Sequence, residues 1–209
     1  MNPKLPVPSC LPRCPVPKTA RDLVRVLVGV LEAKGCHIAQ HSAAVSRWTI
    51  AVCEALGIPR QQHSWLTIAA RVHDIGLMSI PDLVLLKPSP LSDAETGLVR
   101  AHPVVGGYIL NTLALPEFVS QAVLSHHERL DGSGYPQQLD RAGIPFAARV
   151  IAVADVFEAM TADRPWRRAM PKSKAVGRLR AMAGHKLDAV IVEALIAQLD
   201  QANEVKHDH

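Results

Sequence analysis

Apolar residues recur along this chain at three- and four-residue spacing, the period of a helix with one buried face. The first case places Leu23, Val26, Leu27, Val30 and Leu31 on one face of a helix over 20–34, which Gly35 ends. Further helices are predicted over 38–56, 61–73, from Ser92 through His102, and over 103–113, 115–127, 146–162, 172–183 and 188–201. No stretch keeps the two-residue period of a strand. The pattern therefore predicts an all-α domain resembling a helical bundle.

Polar residues and prolines predict where the domain begins and ends. Thr19 stands where it could cap the first helix, and Ser92 precedes Glu95 by three residues, which is the spacing of a capping box. The proline-rich residues 1–18 cannot form a helix and are predicted to be a disordered or extended tail. The domain is predicted to cover 19–201, followed by a polar tail over 202–209.

Composition narrows the class of protein. The 209 residues suffice for one domain with a core, and 48% hydrophobic residues with only 4% aromatic ones favour helices. The net charge of +4 suits an anionic small ligand, although a solvated basic surface would have the same charge, and we expect no nucleic acid polymer as partner. No apolar run approaches the roughly 20 residues of a membrane helix. We expect a cytoplasmic protein without membrane contact.

The four cysteines do not complete a recognisable metal site. Cys10 and Cys14 form a C-x-x-x-C pair in the tail, but no second pair accompanies them. Cys36 and Cys53 are interpreted as ordinary reduced thiols, in keeping with a reducing location.

Metal-binding chemistry is indicated first by His73-Asp74, which follows an apolar helical run. An imidazole beside a carboxylate can bind one metal ion and begin a second site, because a carboxylate can bridge two ions. The pair His126-His127 stands at a predicted helix end before a glycine-rich loop. Asp155 lies in an apolar helix, where a carboxylate must be paired, hydrogen-bonded or bound to metal.

His41 and His102 would each be an ordinary histidine if considered alone. Together with the other candidates they give five histidines and two aspartates, enough for a dinuclear site with a bridging carboxylate. Such donors suit iron, manganese, nickel or zinc and do not single out one metal. Two ions roughly 3.5–4 Å apart could hold a phosphodiester and activate a hydroxide for in-line attack.

The order of the motifs resembles the HD-GYP branch of the HD-domain phosphohydrolases, from about His41 to Asp188. The motifs are His73-Asp74-Ile75-Gly76, Ile80-Pro81-Asp82, Lys87-Pro88, His102-Pro103, His126-His127-Glu128, Asp131-Gly132-Ser133-Gly134-Tyr135-Pro136, Ile144-Pro145, Asp155-Val156-Phe157 and Asp163-Arg164-Pro165. The resemblance implies an HD-domain helical bundle with a loop carrying Gly-Tyr-Pro. It also implies hydrolysis of cyclic di-GMP to linear pGpG, to GMP or to both, by attack of a metal-activated hydroxide.

The resemblance also assigns roles to residues. The metal ligands it implies are His41, His73, Asp74, His102, His126, His127 and Asp155, with His73 and Asp74 as the catalytic pair and Asp74 as the bridge. The substrate-contacting residues it implies are Tyr135, Arg164 and Arg167. Two or three divalent ions are expected as cofactors, iron or manganese first, with nickel, zinc or magnesium as alternatives.

Two positions depart from the family pattern. Leu77 stands where the family has a lysine near the scissile phosphate, so we expect slow turnover unless Arg164, Arg167 or Lys87 supplies the charge. His37 stands where trinuclear members have a glutamate, and it could hold a third metal or only donate a hydrogen bond. Glu158, where an aspartate is common, is expected to support the ligands one turn from Asp155.

Three functions stay open at this point. The first is a cyclic di-GMP phosphodiesterase, and the second is a degenerate module that binds cyclic di-GMP or a partner with little turnover, as Leu77 would favour. The third is a phosphohydrolase of another nucleotide, which the Gly-Tyr-Pro loop argues against. The partners we consider are cyclic di-GMP, a signalling protein such as a GGDEF-type or receiver protein, and a second copy in a homodimer.

Overall fold

The computed structural model describes residues 11–12, 14–163 and 168–207, with side chains through residue 201. Its helices within these ranges are α1 (Lys18–Lys34), α2 (Cys36–Ala55), α3 (Arg60–Arg71), a 3-10 helix (Ile75–Ser79), α4 (Asp82–Leu85), α5 (Asp93–Arg100), α6 (His102–Asn111), α7 (Glu117–Ser125), α8 (Phe146–Thr161), α9 (Lys172–Met182) and α10 (Ala189–His207). Two isolated β-bridges are the only extended pairing in the described chain. The predicted all-α class is confirmed.

Of the two predicted caps one is present and one is not, and the helix predicted from Ser92 through His102 ends earlier. Ser92 and Glu95 form the predicted capping box, with Glu95 N–H donating to Ser92 Oγ over 3.3 Å. The cap predicted at Thr19 is wrong, because Pro17 has the extended backbone of an N-cap and α1 already begins at Lys18. His102 is the first residue of α6, since the helix from Ser92 ends at Arg100.

Described structure extends beyond both predicted ends of the domain, residues 19 and 201. Leu11 and Val16 are buried, 2% and 5% exposed, and the Trp65 indole donates to the Cys14 carbonyl over 3.1 Å. Residues 11–12 and 14–17, part of the predicted disordered or extended tail, thus contact the domain, while residues 1–10, with Cys10, lie outside the described residues. At the other end α10 continues through His207, so the helix extends well into the predicted polar tail.

Helix α8 is the centre of the bundle. Twelve of its sixteen residues are buried, and α2, α3, α7, α9 and α10 all contact it. Phe157 is fully buried and meets the Trp48 ring edge-on at 4.9 Å between ring centroids. This apolar helix gives Asp155, one of the candidate ligands, a fixed position inside the core.

Two glycines let α6 approach the 3-10 helix that follows His73-Asp74. A Cβ atom added at Gly76 would lie 1.9 Å from the His102 carbonyl oxygen, and one at Gly106 would lie 3.3 Å from the Gly76 nitrogen. No other residue type fits at Gly76 without moving α6. Because His102 begins α6, this contact determines how far His102 lies from Asp74.

We predict that Gly76→Ala destabilises the fold by about 1–3 kcal/mol through overpacking and lowers the bound metal by one equivalent. Thermal unfolding and elemental analysis of the purified chain measure both effects. Gly97→Ala is the matched control, because a Cβ at this helical position meets nothing within 4 Å. Equal stability and equal metal content in the two variants would contradict the argument.

Candidate metal centre

Five segments bring the seven candidate ligands together in two groups. One group consists of His41, His73 and Asp155, and the other of Asp74, His102, His126 and His127. In each group the potential ligand atoms all lie within 4.8 Å of one another. All but His127 are buried, and His127 is half-buried. Each group has enough donors for one metal ion.

The Asp74 carboxylate lies between the two groups. Its Oδ1 is 3.3 Å from His102 Nε2 and 3.9 Å from His126 Nε2. Its Oδ2 is 3.4 Å from His73 Nε2 and 3.7 Å from His41 Nε2. One oxygen therefore faces each group, which is the arrangement that a bridging carboxylate requires.

Hydrogen bonds to the backbone orient three of the imidazoles. The Nδ1 atoms of His73, His102 and His126 lie 2.8, 2.7 and 2.6 Å from the carbonyl oxygens of Ala70, Val99 and Val123. A carbonyl only accepts, so each Nδ1 donates and each neutral ring keeps its lone pair on Nε2. Support of this kind for the second ring nitrogen is usual in metal-bound histidines.

The Nε2 atoms of His102 and His126 indicate whether a cation fits in their group. His102 Nε2 and His126 Nε2 face each other at 3.3 Å, and both rings already donate through Nδ1. Two lone pairs at this distance repel each other unless a proton or a cation lies between or beside them. The donors present, imidazole nitrogens with a shared carboxylate, fit a divalent transition metal.

The pKa shifts of four candidate ligands agree with this assignment. Burial, followed by the charge of neighbouring imidazoles, holds the pKa of His126 and His127 well below the usual value. These two rings are therefore neutral and able to bind a cation. Burial alone would raise the pKa of Asp74 and Asp155, but the surrounding histidines lower it, so both carboxylates are ionised. For His102, burial would lower the pKa, but the hydrogen bond to Asp74 raises it, so a cation at its Nε2 would have to compete with a proton.

His41 behaves differently because carboxylates contact both of its ring nitrogens. Its Nε2 lies 3.1 Å from Asp155 Oδ1, and its Nδ1 bonds to the carboxylate of Glu158. Burial disfavours the charged ring, yet the bonds to Asp155 and Glu158 raise the pKa of His41 to about 10. In the chain without metal this ring holds a proton that a cation would have to displace. Glu158 thus hydrogen-bonds a candidate ligand, His41, and its role in supporting the ligands stays a prediction.

The loop after His127 folds back onto the centre. The buried Glu128 carboxylate accepts from the Gln137 and Leu139 backbone N–H groups over 2.6 and 3.0 Å. A Cβ at Gly134 would lie 2.4 Å from the Arg129 nitrogen, so only glycine allows this close return. Sequence reasoning gave Glu128 no role, although a carboxylate next to a buried histidine pair was a usable indication.

This loop places Tyr135 beside the centre. Its ring stacks on the His127 imidazole with 4.7 Å between centroids and 28° between planes. The Arg100 guanidinium lies over the same ring at 5.3 Å from its centroid. Neither Arg100 nor Arg129, whose Nη1 donates to the Glu128 carbonyl over 2.7 Å, was identified from the sequence.

Some predicted site residues are not brought into the two groups. His37 is half-buried and in neither group, although it lines a cavity of about 370 Å³ together with His41 and Glu158. Lys87 donates to both oxygens of Glu95 over 2.8 and 2.6 Å, so its charge is already paired.

Other sequence expectations concern Leu77 and the segment around Asp163. Leu77 is half-buried and packs against the main hydrophobic core. Arg164 and Arg167 lie outside the described residues.

The chain matches the HD domain in sequence and is similar to known phosphodiesterases. A sequence profile of the HD domain matches residues 25–191. The cyclic di-GMP phosphodiesterase response regulator RpfG of Xanthomonas campestris is 40% identical over 156 residues, covering 72% of this chain and 41% of that protein. The cyclic di-GMP phosphodiesterase PA4108 of Pseudomonas aeruginosa is 40% identical over 146 residues, covering 69% and 35%. The 3'3'-cGAMP-specific phosphodiesterase 3 of Vibrio cholerae is 33% identical over 182 residues, covering 85% and 40%.

Solved structures share the fold. Bd1817, a HDG"Y"P protein from Bdellovibrio bacteriovorus, superposes with a TM-score of 0.64 at 22% identity, covering 78% of this chain and 52% of that one. The cyclic GMP-AMP specific phosphodiesterase V-cGAP3 of Vibrio cholerae gives a TM-score of 0.58 at 28% identity, covering 88% and 42%.

Two further observations concern the length of the chain relative to its relatives and the character of its helices. The chain spans less than half the length of the three curated relatives named above. None of the helices in the described part of the chain combines the length and apolar character needed to cross a bilayer.

The profile match covers most of the chain, and the relatives align with it at 33–40% identity. The predicted His73-Asp74 pair and the His126–Pro136 loop lie together at one buried centre. The chain therefore belongs to the HD domain family and, within it, to the HD-GYP branch.

Proposed function

We propose that this chain is a metal-dependent phosphodiesterase that hydrolyses cyclic di-GMP to pGpG, to GMP or to both. The observation that carries the proposal is the Asp74 carboxylate, one oxygen of which faces each group of histidines. Relatives named as cyclic di-GMP phosphodiesterases at 40% identity support the choice of substrate over other cyclic dinucleotides. Iron or manganese remains our first expectation for the metal.

When bound, two divalent cations would supply Lewis-acid polarisation of the phosphodiester and a more acidic water. The chain's own contribution is to hold them: the ionised Asp74 and Asp155 supply negative charge, and neutral His126 and His127 supply lone pairs. The buried position of these groups removes competing water and strengthens each electrostatic contact. Hydrolysis would break a P–O3′ bond and leave a 3′-hydroxyl and a 5′-phosphate.

Tyr135 is suited to contact the substrate through its hydroxyl. Burial, followed by the charge of Asp155, raises the pKa of its phenol to about 12. The hydroxyl therefore keeps its proton at neutral pH and can donate a hydrogen bond to a phosphate oxygen.

A binding module with little turnover is the second candidate, and Leu77 favours it. This side chain packs against the core and brings no charge to the segment after Asp74. A single donor aimed at the developing charge is worth roughly 100-fold to 1,000-fold in rate. The intact donor set favours the enzyme, because binding alone does not require seven buried or half-buried ligand side chains.

We predict that Asp74→Asn removes at least one metal equivalent and lowers cyclic di-GMP hydrolysis by about 100-fold or more, since both groups lose their shared negative charge. Elemental analysis and product chromatography measure the two effects. Asp93→Asn, an exposed change in α5, is the control and should leave both unchanged. Full metal content with full activity in Asp74→Asn would refute the bridging role.

A second prediction concerns the positive charge that is missing at Leu77, where the family has a lysine. Leu77→Lys should raise the turnover number by about 10-fold or more if the substrate phosphate lies near this segment. Leu77→Met is the control, because it keeps the volume and the apolar packing. A gain in Leu77→Lys that Leu77→Met reproduces would assign the effect to packing rather than charge.

Metal binding is also predicted to release protons. Because the pKa of His41 is about 10 in the chain without metal, a cation at its Nε2 displaces a proton at neutral pH. Metal affinity should therefore rise about tenfold per pH unit between pH 6 and 8, and titration calorimetry in buffers of different ionisation enthalpy counts the protons released. Affinity that does not change over this range would contradict the assignment of His41 as a ligand.

A further inference from the structure

Arg100 is an exposed arginine held at a defined place beside the centre. It is the last residue of α5 and stands two residues before His102. Its guanidinium carbon lies 5.3 Å from the centroid of the Tyr135 ring, within the range of a cation–π contact. Aromatic contact of this kind restricts a side chain that would otherwise sample many rotamers.

Three other arginines of the described chain have partners within the chain. Arg149 is paired with Asp188 at 2.9 Å, and Arg180 is paired with Glu193 at 3.2 Å. Arg129 donates to the carbonyl oxygens of His126 and Glu128. Arg100 has no ion pair or hydrogen bond from its guanidinium among the residues that the structure describes. Its five donors are therefore free to bind an anion from outside the chain.

The position of Arg100 relative to the candidate ligands indicates which anion it would meet. The Tyr135 ring that Arg100 contacts is also stacked on His127, a member of the second ligand group. Arg100 makes no ion pair with any of the seven candidate ligands in the described chain. It lies beside the centre without belonging to it, so a phosphate held between the two ligand groups would not be its natural partner.

We propose that Arg100 binds the second phosphate of a cyclic dinucleotide, the one that is not being cleaved. The inference rests on the proposed function, because a cyclic dinucleotide has two phosphodiesters and only one can occupy the centre. A guanidinium presents paired N–H donors that match two phosphate oxygens, which a lysine ammonium does not. Tyr135 then has two roles, since it contacts the substrate and holds Arg100 in place.

The test compares Arg100→Ala, Arg100→Lys and a control in the metal-loaded full chain. With cyclic di-GMP, Arg100→Ala should raise KM by about 10-fold to 100-fold, which corresponds to the loss of a charge-assisted hydrogen-bonded pair, while kcat changes less than about threefold. Arg100→Lys keeps the charge without the paired donors and should fall between wild type and Arg100→Ala. Arg178→Ala removes an exposed arginine from α9 and should match wild type.

A substrate with a single phosphate separates binding from an indirect effect on the centre. With bis(p-nitrophenyl) phosphate, kcat/KM of Arg100→Ala should stay within about twofold of wild type, and the metal content should be equal. An equal loss on both substrates, or a loss of metal, would mean that Arg100 acts through Tyr135 and His127, and would overturn the proposal.

Two outcomes distinguish this inference from the proposed function. If wild type hydrolyses cyclic di-GMP and Arg100→Ala has the same KM, the inference fails and the phosphodiesterase stands. If metal-loaded wild type neither binds nor hydrolyses cyclic di-GMP, the proposed function fails and the role of Arg100 fails with it.

Discussion

The structure depends on one buried carboxylate. Asp74 is only 8% exposed, and its two oxygens each face a separate group of imidazoles. An isolated carboxylate at this depth would be strongly destabilising, so its surroundings must supply positive charge or hydrogen bonds. In the chain without metal, this stabilisation comes from three histidines, His41, His73 and His102. The same arrangement would give a pair of cations a shared anionic ligand, as proposed above.

The fold is organised to bring those segments together. The apolar helix α8 fixes Asp155 inside the core, and the close contact at Gly76 fixes the start of α6 and therefore His102. The Glu128 carboxylate accepts hydrogen bonds from backbone N–H groups of the following loop. In this loop conformation Tyr135 stacks on His127. Each of these contacts positions the backbone rather than a ligand side chain directly. Precise ligand placement is thus a property of packing, as expected for a close-packed interior.

Electrostatics divides the site into an inner and an outer part. The inner part holds ionised carboxylates and histidines whose protonation is set by their neighbours, and it suits cations. The outer part, with Tyr135 and Arg100, carries a phenol that keeps its proton and a cation without an anionic partner in the described chain, and it suits phosphate oxygens. Leu77 leaves the segment that follows Asp74 without charge, which is why binding and turnover have to be measured separately.

The sequence by itself determined what depends on neighbours within a few positions. Helical periodicity, the capping box at Ser92 and the ordered histidine and aspartate motifs all belong to this class, and they sufficed for the fold class and the family. The tertiary structure decided what depends on distant segments. It buried Leu11 and Val16, paired Lys87 with Glu95, left His37 outside both ligand groups and placed Arg100 over Tyr135. These outcomes follow from contacts between residues far apart in the chain, and sequence spacing alone gives no distance between them.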